Sequence, residues 1–307
     1  MKKRVMITGA RGLLGLNLAL QAAEKYEVVG IDKLDTLRPT SFEALQADLL
    51  SPGVVAELLE RVQPDWVIHC AALADMDVCE AQPELAQRLN AALPGEIAAE
   101  TGKHGIRMVH ISTDAVFDGT KGDYRENDIP SPRSVYAQTK LDGEQAVLAS
   151  SDQAIVARVN FYGWSASGTR SLAEFFFNNL TANKPINGFD NVFVCPLQVN
   201  QLGEILLEML ERDLAGLYHV MSSQSISKYE FGVALAEKFG LDAGLITPIP
   251  IEQAGLKAER SPNLTINTEK LAAALGKPLP QIDSGLNRLY KLYQDGYRER
   301  LKNQVAQ

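Results

Sequence analysis

The chain reads as an α/β protein, a doubly wound parallel (Rossmann) sheet with a smaller C-terminal α/β substrate-binding domain. Three observations predict it. Short apolar runs alternate with helical patterns through the first half of the 307 residues, as crossover-connected parallel strands require. The first run, Val5-Met6-Ile7, passes into Thr8-Gly9-Ala10-Arg11-Gly12-Leu13-Leu14-Gly15, with regularly spaced glycines where a strand turns into a helix. Later runs such as Trp66-Val67-Ile68 are almost continuously apolar, which suits strands covered on both faces.

The glycine turn is the first functional signal. Gly9 permits a tight turn, Gly12 lets backbone approach a pyrophosphate, and Gly15 lets the helix pack on the strand. Leu14, Leu18 and Ala22 then recur at helical spacing. The free N–H groups of a helix start favour an anion, so Gly9, Arg11, Gly12, Leu13, Leu14 and Gly15 form the candidate cofactor loop. The second strand, from Glu27, ends at Asp32, where an acid binds adenosine ribose hydroxyls or merely occupies a surface turn. Arg11 supplies a guanidinium able to pair with a 2′-phosphate. Asp32 thus favours NAD and Arg11 favours NADP, and both stay open.

Composition narrows the partners. Hydrophobic residues make up 46% and charged residues 22% of the chain, an ordinary globular balance. A net charge of −8 argues against a nucleic-acid footprint, while a local site can still take an anionic sugar nucleotide. Cys70, Cys79 and Cys195 lack metal-ligand spacing, and their odd number suits reduced thiols. No window approaches a membrane span, and the first apolar run is too short for a signal peptide. The expectation is a cytoplasmic protein with neither membrane nor nucleic-acid partners.

Further along, Leu45-Gln46-Ala47 is a short strand leading to Asp48-Leu49. That acid either receives the adenine amine or caps a helix opened by Ser51-Pro52. The fourth strand runs from Asp65 to Ala72; small Ala71 and Ala72 let a flat cofactor lie on backbone, and His69 is a core histidine. A long helix over Glu84–Thr101 ends at Gly102 and Gly105. Arg107–Ile111 delivers Ser112-Thr113-Asp114 to the carboxyl edge of the sheet, where ligands bind. A loop rich in Gly, Asp and Pro, from Asp118 to Arg133, is long enough to carry function.

The next helix opens with Tyr136-Ala137-Gln138-Thr139-Lys140. Side chains four apart share a helix face, and an ammonium beside a phenol favours the phenolate. Lys140 also suits the ribose hydroxyls of a nicotinamide cofactor, and Thr113 supplies a hydroxyl to orient the substrate oxygen. A Tyr-xxx-Lys pair is common on helices; its meaning here comes from the order in which glycine loop, acid, Ser-Thr strand end and pair follow one another.

That order, TGARGLLG, CAA, STDAVFDG and YAQTK, resembles the extended short-chain dehydrogenase/reductases. More narrowly, ISTDAVFDG, DYREND and VYAQTKLDGE resemble the dTDP-4-dehydrorhamnose reductase group, and the similarity covers nearly the whole chain. The resemblance implies Thr113, Tyr136 and Lys140 as the catalytic trio. It implies a cofactor site of Gly9, Gly12, Gly15 and Asp32, with Asp48, Leu49, Ala71 and Ala72 as further contacts. Ala74, Asp114, Asn160, Trp164 and Arg260 are the candidate substrate contacts, and Asn90 matches a supporting asparagine. The implied activity is NAD(P)H-dependent reduction of a 4-keto nucleotide sugar in a homodimer. A nucleotide-sugar 4-epimerase shares the trio, and the non-catalytic regulatory subunit of methionine adenosyltransferase resembles the same group. Related dehydratases carry Asp-Glu after the threonine; here Ala115 follows Asp114, which disfavours water elimination. The reductases usually have tyrosine there, so Ala115 departs from them too. Asp77 and Glu80, in DMDVCE, are candidates for a magnesium ion or for helix-dipole partners.

In the second half, Ala154–Val159 is a further strand leading into the aromatic cluster Phe161-Tyr162-Gly163-Trp164. A helix from Arg170 to Leu180 carries Phe175-Phe176-Phe177, expected between domains or against another subunit. Ser227 and Glu230 form a capping box. Arg260-Ser261-Pro262-Asn263 resembles an Arg-Pro-x-Asn turn with an inserted Ser261; Arg260 pairs either with a diphosphate or with a surface acid. Residues 1–160 are expected to form the cofactor domain with a return segment at about 190–216, and 161–189 and 217–307 the substrate domain.

Overall fold

A computed structural model describes residues 2–255 and 261–306. The first half lays down β1 (Arg4–Thr8), α1 (Leu13–Ala22), β2 (Glu27–Asp32), β3 (Glu43–Gln46), α2 (Val54–Val62) and β4 (Trp66–His69). It continues with α3 (Met76–Ala81), α4 (Pro83–Gln87), a π turn at Arg88–Ala92, α5 (Leu93–Lys103), β5 (Arg107–Thr113), α6 (Val135–Ser150) and β6 (Ile155–Val159). The second half adds β7 (Phe161–Tyr162), α7 (Leu172–Thr181), β8 (Ile186–Phe189), β9 (Phe193–Val194), β10 (Leu197–Gln198) and α8 (Val199–Glu211). Then come β11 (Gly216–Val220), β12 (Ile226–Ser227), α9 (Lys228–Phe239), β13 (Ile246–Ile249), α10 (Glu269–Leu275), α11 (Ile282–Gln294) and α12 (Tyr297–Lys302).

Seven strands form one parallel sheet in the order β11-β6-β5-β4-β1-β2-β3. The order reverses between β1 and β4, which leaves a crevice at their carboxyl ends. Alternate residues of each strand feed two buried clusters. Val5 and Ile7 pack with Leu14 and Leu18 of α1 and Leu202 and Leu206 of α8. Met6, Val67 and Met108 pack with Leu58 and Leu59 of α2 and Ile97 of α5. Burial on both faces explains why these strands read as continuous apolar runs.

Four sequence expectations are revised. β11 pairs in parallel with β6 from Gly216 to Val220, so a boundary at 216 cuts at the start of a sheet strand and the return segment runs on to Val220. The helix expected over Glu84–Thr101 is two α-helices joined by the π turn at Arg88–Ala92. Ser51-Pro52 lie in a turn, and α2 begins at Val54 after Gly53 in the left-handed region. The Phe175–Phe177 run is split: Phe176 and Phe177 enter the core, whereas Phe175 is 46% exposed.

The long loop is stapled down. Phe117 stacks on Tyr124, Asp118 accepts from the Tyr124 hydroxyl at 2.7 Å, and Tyr124 N bonds Thr265 O at 3.0 Å. Gly119 and Gly122 have positive φ and lie against Ser261 and Asn263, where any Cβ would collide. The loop thereby joins the wall of the cleft beside β5.

Candidate active site

The cofactor loop has a physical reason for each glycine. Gly9 has φ +66° and lies so close to Ala71 that a Cβ would sit 2.7 Å from its amide nitrogen. A Cβ on Gly15 would overlap the Gly9 carbonyl, so α1 seats against the loop only without one. Gly12 is the N-cap of α1 with no side-chain cap and no acid in the first turn, which leaves the first N–H groups directed at the crevice. These features fit a dinucleotide pyrophosphate.

The cleft above the loop is lined by Gly9, Arg11, Gly12, Asp32, Lys33, Asp48, Leu49, Cys70, Ala71, Ala72 and Arg170, among others. Leu13, Leu14 and Gly15 are not in the lining; Leu14 and Gly15 are buried behind it. Asp32 accepts from Arg11 N at 3.0 Å and from Leu34 N at 3.3 Å. Asp48 does not cap α2: it accepts from Leu50 N at 3.1 Å and pairs with Lys33 at 2.9 Å. The Lys33 ammonium holds the Asp48 carboxyl below its usual range. The Arg11 Nε is buried and has no partner among the described residues. Lys33 and Arg170 were not singled out from sequence: Lys33 is signalled only by following Asp32, and Arg170 arrives from the far half of the chain.

Tyr136 and Lys140 sit one turn apart at the start of α6. Ser134 caps that helix by accepting from Ala137 N at 3.2 Å, and Glu80 accepts from Val135 N at 2.8 Å, so this acid closes a helix end. The Thr113 hydroxyl acts to lower the Tyr136 phenol, but burial dominates and pushes it up to about 12, with Asp114 and Cys79 adding to the rise. The Lys140 ammonium, expected to lower the phenol, turns beneath it to β5, donating to Ile111 O at 2.6 Å with His110 Nε2 at 3.3 Å. Burial lowers Lys140 to about 8 against the opposing charge of Glu144. Asn90, on the π turn, holds the Leu73 backbone at both ends and donates to Thr139 Oγ1 at 3.2 Å.

A second cleft is lined by Thr113, Ala115, Tyr136, Asn160, Arg133 and Lys228, together with Met76, Ser134, Leu172, Val192, Val194, Ser261 and Leu264. Thr113 Oγ1 lies 3.2 Å from Asp114 Oδ1 and accepts from Ala115 N at 3.1 Å. Asn160 Nδ2 donates to Asp114 Oδ2 at 2.6 Å, yet burial still pushes Asp114 up to about 6. Arg133 and Lys228 are cations of the kind that bind a diphosphate; neither was foreseen. His69 is a core histidine, buried and bonded to Thr8 Oγ1 at 2.7 Å.

Three expected substrate residues lie elsewhere: Asp114 is buried and lines neither cleft, its carboxylate held by Asn160. Trp164 is 0% exposed: its indole donates to Leu289 O at 3.1 Å and its ring packs on Phe177 and Phe239. Its aromatic bulk is spent on the core, which corrects its assignment as a substrate contact. Ala74 is exposed and lines neither cleft. Arg260 lies outside the described residues. Asp77 is exposed and Glu80 caps α6; among the described residues no group of three or more His, Cys, Asp or Glu could hold a metal. No helix among them is long and apolar enough to cross a membrane.

A seven-stranded Rossmann sheet with a glycine cradle and a Thr-Tyr-Lys cluster at its carboxyl edge is the architecture of the extended short-chain dehydrogenase/reductases. The chain matches the family model described as RmlD substrate binding domain over residues 2–295 and belongs to that family. It is 31% identical to the probable low-salt glycan biosynthesis reductase Agl14 of Haloferax volcanii, over 94% of this chain and 98% of that protein. It is 35% identical to methionine adenosyltransferase 2 subunit beta of Rattus norvegicus, over 88% of this chain and 81% of that one. Among solved structures it superposes on the dTDP-4-dehydrorhamnose reductase of Bacillus anthracis in complex with NADP with a TM-score of 0.86. That match has 26% identity and covers 95% of this chain and 99% of the other.

Proposed function

We propose that the chain is an NAD(P)H-dependent reductase of a 4-keto nucleotide sugar, with a dTDP-4-dehydrorhamnose-like compound as the first candidate. The observation that carries this is the cleft in which Tyr136 and Thr113 share a wall with Asn160, Arg133 and Lys228. A proton donor lies there beside cations suited to a diphosphate.

A reduced nicotinamide supplies the hydride. Tyr136 gives its proton to the oxygen of the developing alkoxide; a phenol raised to about 12 is held fully protonated at neutral pH. Thr113 orients that oxygen, and Lys140 binds the ribose hydroxyls of the cofactor. Gly9, Gly12 and the open N-terminus of α1 bind the pyrophosphate. Arg11 and Lys33 line the cleft beside Asp32, and two cations at the adenosine end favour the 2′-phosphate of NADP over NAD. Ala115 leaves no proton carrier where elimination would need one. The homodimer implied by the resemblance belongs to the same proposal, and light scattering reads it directly.

The test is NADPH and NADH oxidation with a panel of 4-keto nucleotide sugars. Turnover of at least one sugar, faster with NADPH, is expected; no oxidation with any sugar contradicts the reading. A second reading is favoured by the 35% identity to an adenosyltransferase subunit: a dinucleotide-binding partner protein. Stoichiometric co-purification of another chain, with no turnover of any sugar, would establish it instead.

A further inference from the structure

We propose that His110 is a positioning residue for Lys140, its Nε2 lone pair and the Ile111 carbonyl together fixing the ammonium beneath the cofactor site. The inference rests on the reading above that Lys140 binds the cofactor ribose.

An ammonium has three N–H donors. Lys140, 2% exposed, spends one on Ile111 O at 2.6 Å and directs a second at His110 Nε2, 3.3 Å away. One donor remains for a ribose hydroxyl. Because an ammonium only donates, His110 must present a lone pair at Nε2 and carry its proton on Nδ1. That Nδ1 is buried and has no partner among the described residues. A buried donor without an acceptor is a cost, so the ring is held in this state for what Nε2 does.

The surroundings keep the ring neutral. His110 stacks on His69 at 5.7 Å and 21°, and burial together with the Lys140 charge holds both imidazoles well below their ordinary range. The titratable groups around Lys140 are Glu144 from α6, His110 from β5, and His69 and Cys70 from β4 and its exit. Arg158 of β6 neutralises Glu144. His110 is the neutral acceptor in this set.

Close approach of the helix makes the contact possible. A Cβ at Gly143 would overlap the Asn90 carbonyl and lie 3.4 Å from His110 Nε2. Gly143 follows Lys140 by less than one turn. The absence of a side chain there lets α6 settle onto both the π turn and β5, which brings Lys140 within reach of His110.

NADPH binding, read by its fluorescence between about pH 6.5 and 9.5, tests the assignment because Lys140 titrates in that window. Affinity of the full-length protein should fall as Lys140 deprotonates, and Lys140→Met should abolish that fall. His110→Phe, which removes the acceptor, should move the midpoint down by about one pH unit, and His110→Gln, which keeps an acceptor, should restore it. A wild-type midpoint in His110→Phe overturns the inference. Nitrogen-15 NMR of the four histidines gives a second readout that needs neither ligand nor variant. His110 in the Nδ1–H form across this range is expected, and the Nε2–H form overturns the inference whether or not the cofactor reading stands.

Discussion

Glu144 and Arg158 form a buried bidentate ion pair, Arg158 Nη2 to Glu144 Oε2 at 2.7 Å and Nε to Oε1 at 2.9 Å, with both side chains 2% exposed. Ser112 donates to the same Glu144 oxygen at 2.5 Å, one residue before Thr113. Arg158 also covers the Phe117 ring at 4.9 Å. The pair therefore ties α6, β5, β6 and the base of the long loop together directly under Tyr136 and Lys140.

Breaking it should be costly. Arg158→Met leaves Glu144 buried and uncompensated, and the expected loss is about 3–5 kcal/mol of folding stability. Urea unfolding measures it. Loss of under about 1 kcal/mol would mean the pair is solvated in solution.

Asp114 should make stability depend on pH with an unusual sign. Burial pushes its carboxyl up to about 6 in the folded state, above the ordinary aspartate range of about 4, so the folded state binds more protons between the two. Its contribution therefore falls as pH rises through that window and is most favourable below it. Asp114→Asn removes this dependence. Unfolding midpoints of wild type and variant, compared between about pH 4 and 7, should diverge most at the upper end, with the variant relatively more stable.

The glycine cradle predicts a steric effect. Gly15→Ala places a methyl group on the Gly9 carbonyl, so α1 must shift. A loss of about 1–3 kcal/mol is expected, together with weaker dinucleotide binding, measured by calorimetry on the folded variant.

Cofactor choice turns on the cations beside Asp32. Arg11→Ala should weaken NADPH binding about 10- to 100-fold, the worth of a hydrogen bond to a charged group, and leave NADH binding little changed. Equal losses for both dinucleotides would place the guanidinium on the pyrophosphate instead.

The alternation of strands and helices and the glycine turn were legible because both are local: an apolar run, three spaced glycines and a helix period lie side by side in sequence. That Tyr136 and Lys140 lie one turn apart on a helix was legible for the same reason. What Lys140 does was not, since its partners are set by how closely α6 approaches β5, and that depends on Gly143 and the π turn at Asn90. Trp164 was misassigned because an aromatic cluster says nothing of which face its rings take. Arg170 and Lys228 reach the clefts from the second half of the chain, where only the fold brings them near. The 216 boundary failed because β11, late in sequence, returns to the edge of the first sheet.

Transfer from NADPH deuterated at C4 of the nicotinamide tests the central claim most directly. Wild type should place one deuterium on C4 of a nucleotide sugar and release NADP in equal amount, and Tyr136→Phe should slow this about 10²- to 10⁴-fold. Full turnover in Tyr136→Phe, or interconversion of C4 epimers with the dinucleotide retained, would contradict it.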